Sequence, residues 1–194
     1  MAKPVIGKIG RMAPLAVLLL LAPALAWGQG ESKVPPADPA ERCDIRLLKD
    51  QEYFSALLDE IGRARQEIAL TMFFFKTNGF RDHWPDRIVQ HLREAVRRGV
   101  RVEAVMERGK EGENVSEVNA DTSRRLKAAG IRVCMDAPDR TMHTKMIVID
   151  RRTLFIGSHN LTQSALKYNS EVSVRIESPR LAEEAIRYMK AICR

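Results

Sequence analysis

The spacing of hydrophobic residues changes several times along the chain and predicts alternating strands and helices. Apolar residues three or four positions apart predict helices over residues 53–64, 86–98, 117–129 and 181–192. Apolar runs predict strands over residues 45–48, 67–75, 100–106, 132–135, 145–149, 153–156 and 171–176. Helices separate the first strands but not the later ones. This order predicts a single α/β domain, with a mixed, mostly parallel sheet flanked by helices on both faces.

The first 26 residues have the composition of an export signal. Basic residues precede an apolar run from Met12 to Ala26, which ends in the small-x-small sequence Ala24-Leu25-Ala26. A membrane-spanning helix needs about 20 apolar residues, and this run is shorter. We therefore predict a signal peptide cleaved after Ala26 and a periplasmic or secreted protein, with an uncleaved N-terminal membrane anchor as the alternative. The composition of residues 27–42 predicts a flexible leader, and residues 43–194 are predicted to form the folded domain.

The charge and the cysteine content indicate which partners the chain could bind and which disulfides it could form. The formal net charge is +7, and +4 remains once the three basic residues of the predicted signal peptide are removed. A mildly basic chain favours an anionic partner such as nucleic acid or an acidic lipid surface, with a solvated basic face as the alternative. Export would allow one bridge among three cysteines. Cys43 and Cys193 could join the two ends of the domain or remain free thiols, and Cys134 is interpreted as a small core residue.

Five polar or small residues punctuate two predicted strands near the C-terminal third of the chain. His143 and Lys145 lie two positions apart, so their side chains project from the same side. Gly157 and Ser158 form a turn that can bring a backbone N–H and a hydroxyl to an anion, and Asn160 adds an amide. A cation, a hydroxyl, an amide and a candidate nucleophile together predict a phosphate pocket.

Glu171, in the following strand, is predicted to orient His143 by accepting its second ring N–H. A lone histidine on a strand is usually structural, but His143 occurs in register with four further polar residues, which favours a catalytic role. The four histidines have no metal-ligand spacing and the cysteines form no C-x-x-C pair. No metal and no cofactor are therefore expected.

The stretch from His143 to Asn160 resembles the HKD motif of the phospholipase D superfamily, which reads H-x-K-x4-D, six residues, then G-S-x-N. Further similar segments are residues 69–75, 88–102 and Asn169-Ser170-Glu171. The resemblance covers about residues 45–192. It implies a phospholipase D/nuclease-like α/β/α sandwich with residues 43–194 as the catalytic domain, and it makes Asp150 and Gly157 structural residues of the motif.

The chain contains one such motif, whereas most superfamily members carry two. It therefore resembles the small single-motif branch, which implies a homodimer with one shared active site. That branch is best known for exported bacterial endonucleases of low selectivity, and relatives act on cardiolipin or related lipids. The resemblance implies that His143 of one subunit attacks phosphorus while His143 of the other protonates the leaving oxygen. Lys145, Ser158 and Asn160 would hold the phosphoryl oxygens.

Three functions follow as hypotheses. The first is a metal-independent phosphodiesterase that cleaves DNA or RNA. The second is a phospholipase D-type enzyme acting on membrane lipid, which is favoured if the loop over residues 76–85 is apolar and exposed. The third is a nucleic-acid-binding module without turnover, for which a broken motif would be the sign. The motif is not broken, because the five candidate catalytic residues are all present: His143, Lys145, Ser158, Asn160 and Glu171.

Residues beside the motif have both structural and functional interpretations. His159 is interpreted as a rim residue, with substrate contact as the alternative. Phe73-Phe74-Phe75 is interpreted as core. Aromatic residues of the loop 76–85 could stack bases or enter a membrane, but ordinary loop packing is favoured. Arg151-Arg152 could bind phosphate, and a plain hairpin turn is equally consistent with the sequence.

Overall fold

The computed structural model describes residues 43–110, 112–137 and 139–193, so the predicted signal peptide and leader lie outside the described residues. The described residues form seven strands and five helices. The strands are β1 (Asp44–Lys49), β2 (Glu67–Met72), β3 (Arg101–Met106), β4 (Arg132–Met135), β5 (Lys145–Ile149), β6 (Thr153–Gly157) and β7 (Val172–Glu177). The helices are α1 (Gln51–Arg63), α2 (Trp84–Arg97), α3 (Asn114–Ala128), α4 (Gln163–Lys167) and α5 (Pro179–Ile192).

Every predicted strand and helix is found, with ends that shift by a few residues. The largest shifts are three residues, at the end of β2, which is Met72 rather than Phe75, and at the start of α3, which is Asn114 rather than residue 117. Helix α4 is not predicted by the sequence pattern, because five residues are too few to display a helical period. Its beginning is defined by Thr162, whose side chain accepts a hydrogen bond from the backbone of Ala165.

The strands form one sheet in the order β1-β7-β6-β5-β2-β3-β4. Strand β3 is parallel to both β2 and β4, and the other four neighbouring pairs are antiparallel. The predicted mixed sheet with helices on both faces is confirmed, but the expectation that it is mostly parallel is wrong. Parallel neighbours need a long crossover connection, and here α2 and α3 supply the two crossovers. The strands after β4 are not joined by long helices, and they pair antiparallel.

Side chains of β5 alternate between two hydrophobic cores. Ile147 and Ile149 face the larger core, which contains residues of α1, α2 and α3. Met146 and Val148 face the smaller core under α5. A strand buried on both faces reads as a continuous apolar run, as the sequence of β5 does. Among the described residues, no helix has the length and apolar content needed to cross a membrane.

A disulfide joins Cys134 in β4 to Cys193 after α5, with 6.1 Å between their Cα atoms. Cys43 is exposed and free. Cys193 is therefore neither paired with Cys43 nor free, so both alternatives for it are wrong, as is the interpretation of Cys134 as a small core residue without a bridge. The reason is topological, because β1 and β4 are opposite edges of the sheet and α5 ends beside β4.

Candidate active site

The predicted functional residues lie along one row of strand ends, here called the site edge of the sheet. Because β5, β6 and β7 are successive antiparallel neighbours, β5 and β7 begin where β6 ends. His143 and Lys145 therefore lie at the start of β5, close to Ser158 and Asn160 after β6 and to Glu171 before β7. The carboxyl ends of the parallel strands β2, β3 and β4 reach the same edge. Ligands commonly bind at this end of strands in α/β sheets.

Lys145 is buried directly against the exposed His143. Its Nζ donates to the carbonyl oxygen of His143 at 2.8 Å and lies 3.3 and 3.4 Å from the two ring nitrogens. Burial lowers the pKa of Lys145, and the negative charge of Glu171 opposes that shift. Burial and the charge of Lys145 lower the pKa of His143. The pair therefore combines a cation with an imidazole whose neutral form, the nucleophilic one, is favoured.

Phe73 belongs to the site, although the sequence analysis assigned it to the core. Its ring centroid lies 4.4 Å from that of His143 and 4.8 Å from Nζ of Lys145. The ring thus contacts both groups and places its negative face near the buried ammonium. Only Phe75 of the three phenylalanines is fully buried. Strand β2 ends at Met72. Phe73 lies just beyond it, at the edge that carries the site, whereas Phe75 is a core residue.

Glu171 is hydrogen-bonded to Ser158 rather than to His143. The hydroxyl of Ser158 donates to Oε2 of Glu171 and accepts the backbone N–H of Val172 at 3.1 Å. Asn169 donates to Oε1 of Glu171 at 3.1 Å. In the described part of the chain no hydrogen bond joins Glu171 to His143, so the expected orientation of the imidazole by this carboxylate is not found. Glu171 instead fixes Ser158 and supplies a negative charge near Lys145.

Asn160 leaves a polar atom unused at this edge. Its side-chain Oδ1 is buried and has no hydrogen-bond partner among the residues that the structure describes. A buried carbonyl oxygen without a partner is destabilising, and such groups are rare in native proteins. A donor from outside the single chain would satisfy it.

Asp150 and Gly157 have structural contacts. Asp150 lies at the far end of β5 and accepts the backbone N–H groups of Arg65, Gln66 and Glu67 at 2.8, 2.7 and 3.1 Å. At Gly157 a Cβ atom would lie 2.2 Å from the hydroxyl oxygen of Ser173 and 2.4 Å from its Cα. Only glycine allows β6 and β7 to approach this closely.

His159 is buried, so its interpretation as a rim residue is wrong. It is 1% exposed and stacks on Tyr53 at 4.3 Å between ring centroids. Its Nδ1 lies 2.7 Å from the hydroxyl of Ser173, and its Nε2 lies 3.0 Å from the carbonyl oxygen of Asp50. Burial lowers the pKa of His159, against the opposing effects of Asp50 and Glu171. This histidine is a structural residue behind the site.

The other candidate residues have mostly structural partners. Arg151 pairs with Glu67 and Glu183, and Arg152 pairs with Glu177, as expected for an ion-paired hairpin turn. In the loop over residues 76–85, Trp84 stacks on Phe54 at 4.1 Å, and His83 lies 2.6 Å from Asp86. Phe80, 71% exposed, is the exposed large hydrophobic residue of that loop.

A groove of about 580 Å³ extends from His143 along the last turns of α5. Its lining includes Arg140, Thr141 and Thr144 on one side and Tyr188 on the other. Among the described residues, no group of three or more His, Cys, Asp or Glu side chains is placed to hold a metal ion.

The fold and the site together define a class: an α/β/α sandwich with a histidine–lysine pair, a serine and an asparagine at the sheet edge. Residues 57–193 match the family model described as "Cardiolipin synthase, PLD-like domain". The chain belongs to the phospholipase D superfamily.

Individual relatives are similar over most of this chain. Human mitochondrial cardiolipin hydrolase is 32% identical over 135 residues, which are 70% of this chain and 48% of that protein. Phospholipase D of Rickettsia bellii is 30% identical over 127 residues, 66% of this chain and 57% of that protein. The chain spans about half the length of these relatives.

Solved structures show the same fold. Nuc from Salmonella typhimurium, a phospholipase D family member, aligns with a TM-score of 0.65 and 24% identity over 78% of this chain and 94% of that one. NucT from Helicobacter pylori aligns with a TM-score of 0.60 and 18% identity over 78% and 96% of the two chains.

Proposed function

We propose that the protein is a metal-independent phosphodiesterase, namely an exported endonuclease of low specificity that cleaves DNA or RNA. The observation that carries this proposal is the pairing of His143, whose lowered pKa favours the neutral imidazole, with the buried cation of Lys145 in one pocket. A neutral imidazole can attack phosphorus, and the ammonium can stabilise the negative charge that shifts onto the phosphoryl oxygens.

The reaction takes place in two displacements. The imidazole of His143 attacks phosphorus and forms a phosphohistidine while the bond to the leaving oxygen breaks, and that oxygen receives a proton from a second, protonated histidine. The second histidine then removes a proton from water, which attacks phosphorus and releases His143. Lys145, Ser158 and Asn160 contact the phosphoryl oxygens. Two lysines, one from each chain, supply the positive charge, so no metal takes part.

The second histidine would come from a second copy of the chain, because one chain carries one such motif. Apolar side chains on the α5 side of the sheet support this homodimer. This open apolar face consists of Ile45, Leu47, Ile156 and Val172, which are 60%, 55%, 37% and 52% exposed. It borders the site, because Ile156 and Val172 lie two and one residues from Ser158 and Glu171. A second chain seated there would bring two half-sites together, and its donors could reach Oδ1 of Asn160.

The substrate is argued from charge and surface chemistry. The chain is basic, and the loop over residues 76–85 exposes Phe80 beside Lys76 and Arg81 rather than an apolar surface. The groove beside His143 offers the cation of Arg140 and the aromatic ring of Tyr188. A cation and an aromatic ring are the chemistry that binds phosphates and bases of a nucleic acid strand.

A phospholipase D-type lipid phosphodiesterase is the second candidate function. It is favoured by the family model and by the human relative, both named for cardiolipin, and Phe80 would be its contact with the membrane. A nucleic-acid-binding module without turnover is the third candidate.

The test uses purified protein lacking residues 1–26, supplied in separate assays with plasmid DNA, RNA and cardiolipin vesicles in excess EDTA. We expect cleavage of nucleic acid by the wild type and none by the His143→Asn variant. That variant keeps a polar amide in place of the imidazole, but it cannot become a phosphohistidine. Cleavage of lipid alone would establish the second function. Retention of DNA without turnover of any substrate would establish the third, and inhibition by EDTA would contradict the metal-free mechanism.

A further inference from the structure

Two carboxyl groups are buried directly behind the segment that carries His143, and the proposed mechanism uses neither. Glu107 follows β3 and Asp136 follows β4, and they are 5% and 3% exposed. Because β3 and β4 are parallel neighbours, both acids lie at the edge of the sheet that carries the site. Acidic side chains are rarely this buried unless they have partners.

The carboxyl group of Glu107 holds the backbone next to His143. Its Oε2 accepts the N–H of Met142, the residue before His143, and its Oε1 accepts the N–H of Gly109 at 2.9 Å. Asp136 accepts the N–H of Arg108 at 2.6 Å. Arg108 follows Glu107, so the two buried carboxyl groups are neighbours, and the charge of Asp136 raises the pKa of Glu107.

Asn119 of α3 connects the segments that follow β2 and β3 beside the site. Its amide nitrogen donates to the carbonyl oxygens of Glu107 and Phe73, both at 2.8 Å, and its Oδ1 accepts the N–H of Phe75 at 3.0 Å. The ring of Phe73 contacts His143. The imidazole is therefore constrained both through its own backbone and through the aromatic ring beside it.

We propose that Glu107 is a positioning residue for His143, and that it acts as half of a carboxyl pair which keeps one proton between Glu107 and Asp136. Two adjacent buried negative charges repel, and one proton held between the two carboxyl groups removes that repulsion. The effect on catalysis rests on the proposed function, whereas the shared proton does not.

The pair predicts that the folded state loses stability as the pH rises through the raised pKa of Glu107. Burial raises the pKa of Glu107, and the charge and hydrogen bond of Asp136 add to that rise against the N–H groups of Met142 and Gly109. Among the described contacts, the charged side chain next to the pair is Arg108, whose Nε donates to the backbone carbonyl of Asp136 at 2.9 Å. His143 follows Met142, and α3 contributes the uncharged Asn119. A raised pKa means that this stabilisation is complete below the ordinary pKa of glutamic acid and is lost as the pH rises through the raised value.

The experiment compares Glu107→Gln, Asp136→Asn and, as a matched control, Glu103→Gln. Glu103 lies within β3, the strand that Glu107 follows, and pairs with Arg132 away from the site. For each protein we measure the melting temperature across pH, and kcat and KM for the small diester bis(p-nitrophenyl) phosphate. Asparagine at position 136 can donate to Glu107 and accept from Arg108 without an ionisable proton. Glutamine at position 107 leaves one of the N–H groups of Met142 and Gly109 facing an amide N–H.

We expect Glu107→Gln to lower kcat by about tenfold or more with little change in KM, because misplacing a reacting group by a fraction of an ångström is costly. Asp136→Asn should keep kcat near the wild-type value and weaken the fall in melting temperature with rising pH, although burial, the larger cause of the raised pKa of Glu107, leaves part of it. Glu103→Gln should change neither property.

Each contrary outcome is specific. A folded Glu107→Gln protein with wild-type kcat would overturn the positioning role. If that variant does not fold, Glu107→Asp, which shortens the reach to Met142 by one methylene, takes its place under the same criterion. An equal fall in the melting temperatures of the wild type and Asp136→Asn with rising pH would overturn the shared proton. If the wild type hydrolyses no diester, the proposed function fails, while the melting curves still decide the pair.

Discussion

Asp50 and Glu171 are joined by two hydrogen bonds across the ends of β1 and β7. The carboxylate of Asp50 accepts the backbone N–H of Glu171 at 2.9 Å, and the N–H of Asp50 donates to the carbonyl of Glu171 at 2.9 Å. Asp50 makes these bonds with a φ of 49°, a conformation that non-glycine residues seldom adopt. The bonds fix the backbone from which Glu171 reaches Ser158, so Asp50 supports the site without contacting substrate.

The first prediction concerns this support. Asp50→Ala removes the acceptor for the N–H of Glu171, so we expect a loss of about 1–3 kcal/mol in the free energy of unfolding and a lower kcat. Asp50→Asn keeps an acceptor oxygen and tolerates positive φ, so it should stay close to the wild type. Urea unfolding and diester hydrolysis measure the two effects. Equal stability and activity in both variants would show that the Asp50 side chain is dispensable.

The second prediction concerns the close approach of β6 and β7. In Gly157→Ala the new Cβ would overlap the backbone and side chain of Ser173, so we expect severe destabilisation and displacement of Ser158. The matched control is Gly62→Ala in α1, where nothing lies within 4 Å of the added atom. That change should be neutral or stabilising by about 0.5–1 kcal/mol. Thermal unfolding compares the two, and a Gly157→Ala protein as stable as Gly62→Ala would contradict the packing argument.

The third prediction follows from the lowered pKa of His143. Attack requires the neutral imidazole, so the acid limb of the kcat/KM profile should lie below about pH 6.5, the ordinary value for histidine. Lys145→Met removes the neighbouring cation and should raise the pKa of His143, although burial, the larger cause, keeps it below the ordinary value. Lys145→Arg keeps the charge and serves as the control. Titration of the imidazole protons by NMR measures both, and identical values in the two variants would rule out the effect of charge.

The fourth prediction concerns the disulfide between Cys134 and Cys193, which closes a sequence separation of 59 residues. Cys193→Ser should lower the free energy of unfolding by about 2–5 kcal/mol. It should also free the end of α5, which lines the groove beside His143. Cys43→Ser is the control, because this thiol is exposed and unpaired. Urea unfolding with and without reductant decides, and wild-type insensitivity to reductant would count against the bond.

Local patterns were enough to predict the strands, the longer helices and the residues of the motif, whereas long-range contacts were not visible in them. The disulfide partner of Cys193 depends on the order of strands in the sheet. His159 is buried because the close pairing of β6 with β7 brings Ser173 against it. Glu107 begins a charged, glycine-containing stretch, and nothing near it in sequence indicates Asp136 or Met142 as partners. Phe73 was assigned to the core because the end of β2 within an apolar run has no local signal.

The last prediction tests whether two chains share one active site. In the proposed mechanism each dimer needs two copies of His143, one as nucleophile and one as acid, so a dimer with one His143→Asn chain should be inactive. When equal amounts of wild-type and His143→Asn chains are unfolded, mixed and refolded, random pairing leaves about a quarter of the dimers with both histidines. Activity should fall to that level, rather than to the half expected if each chain worked alone. Leu47→Arg, which places a charge on the open apolar face, should yield inactive monomers in sedimentation, and it should not inhibit the wild type on mixing. Activity proportional to the wild-type fraction, or an active monomer, would contradict the shared site.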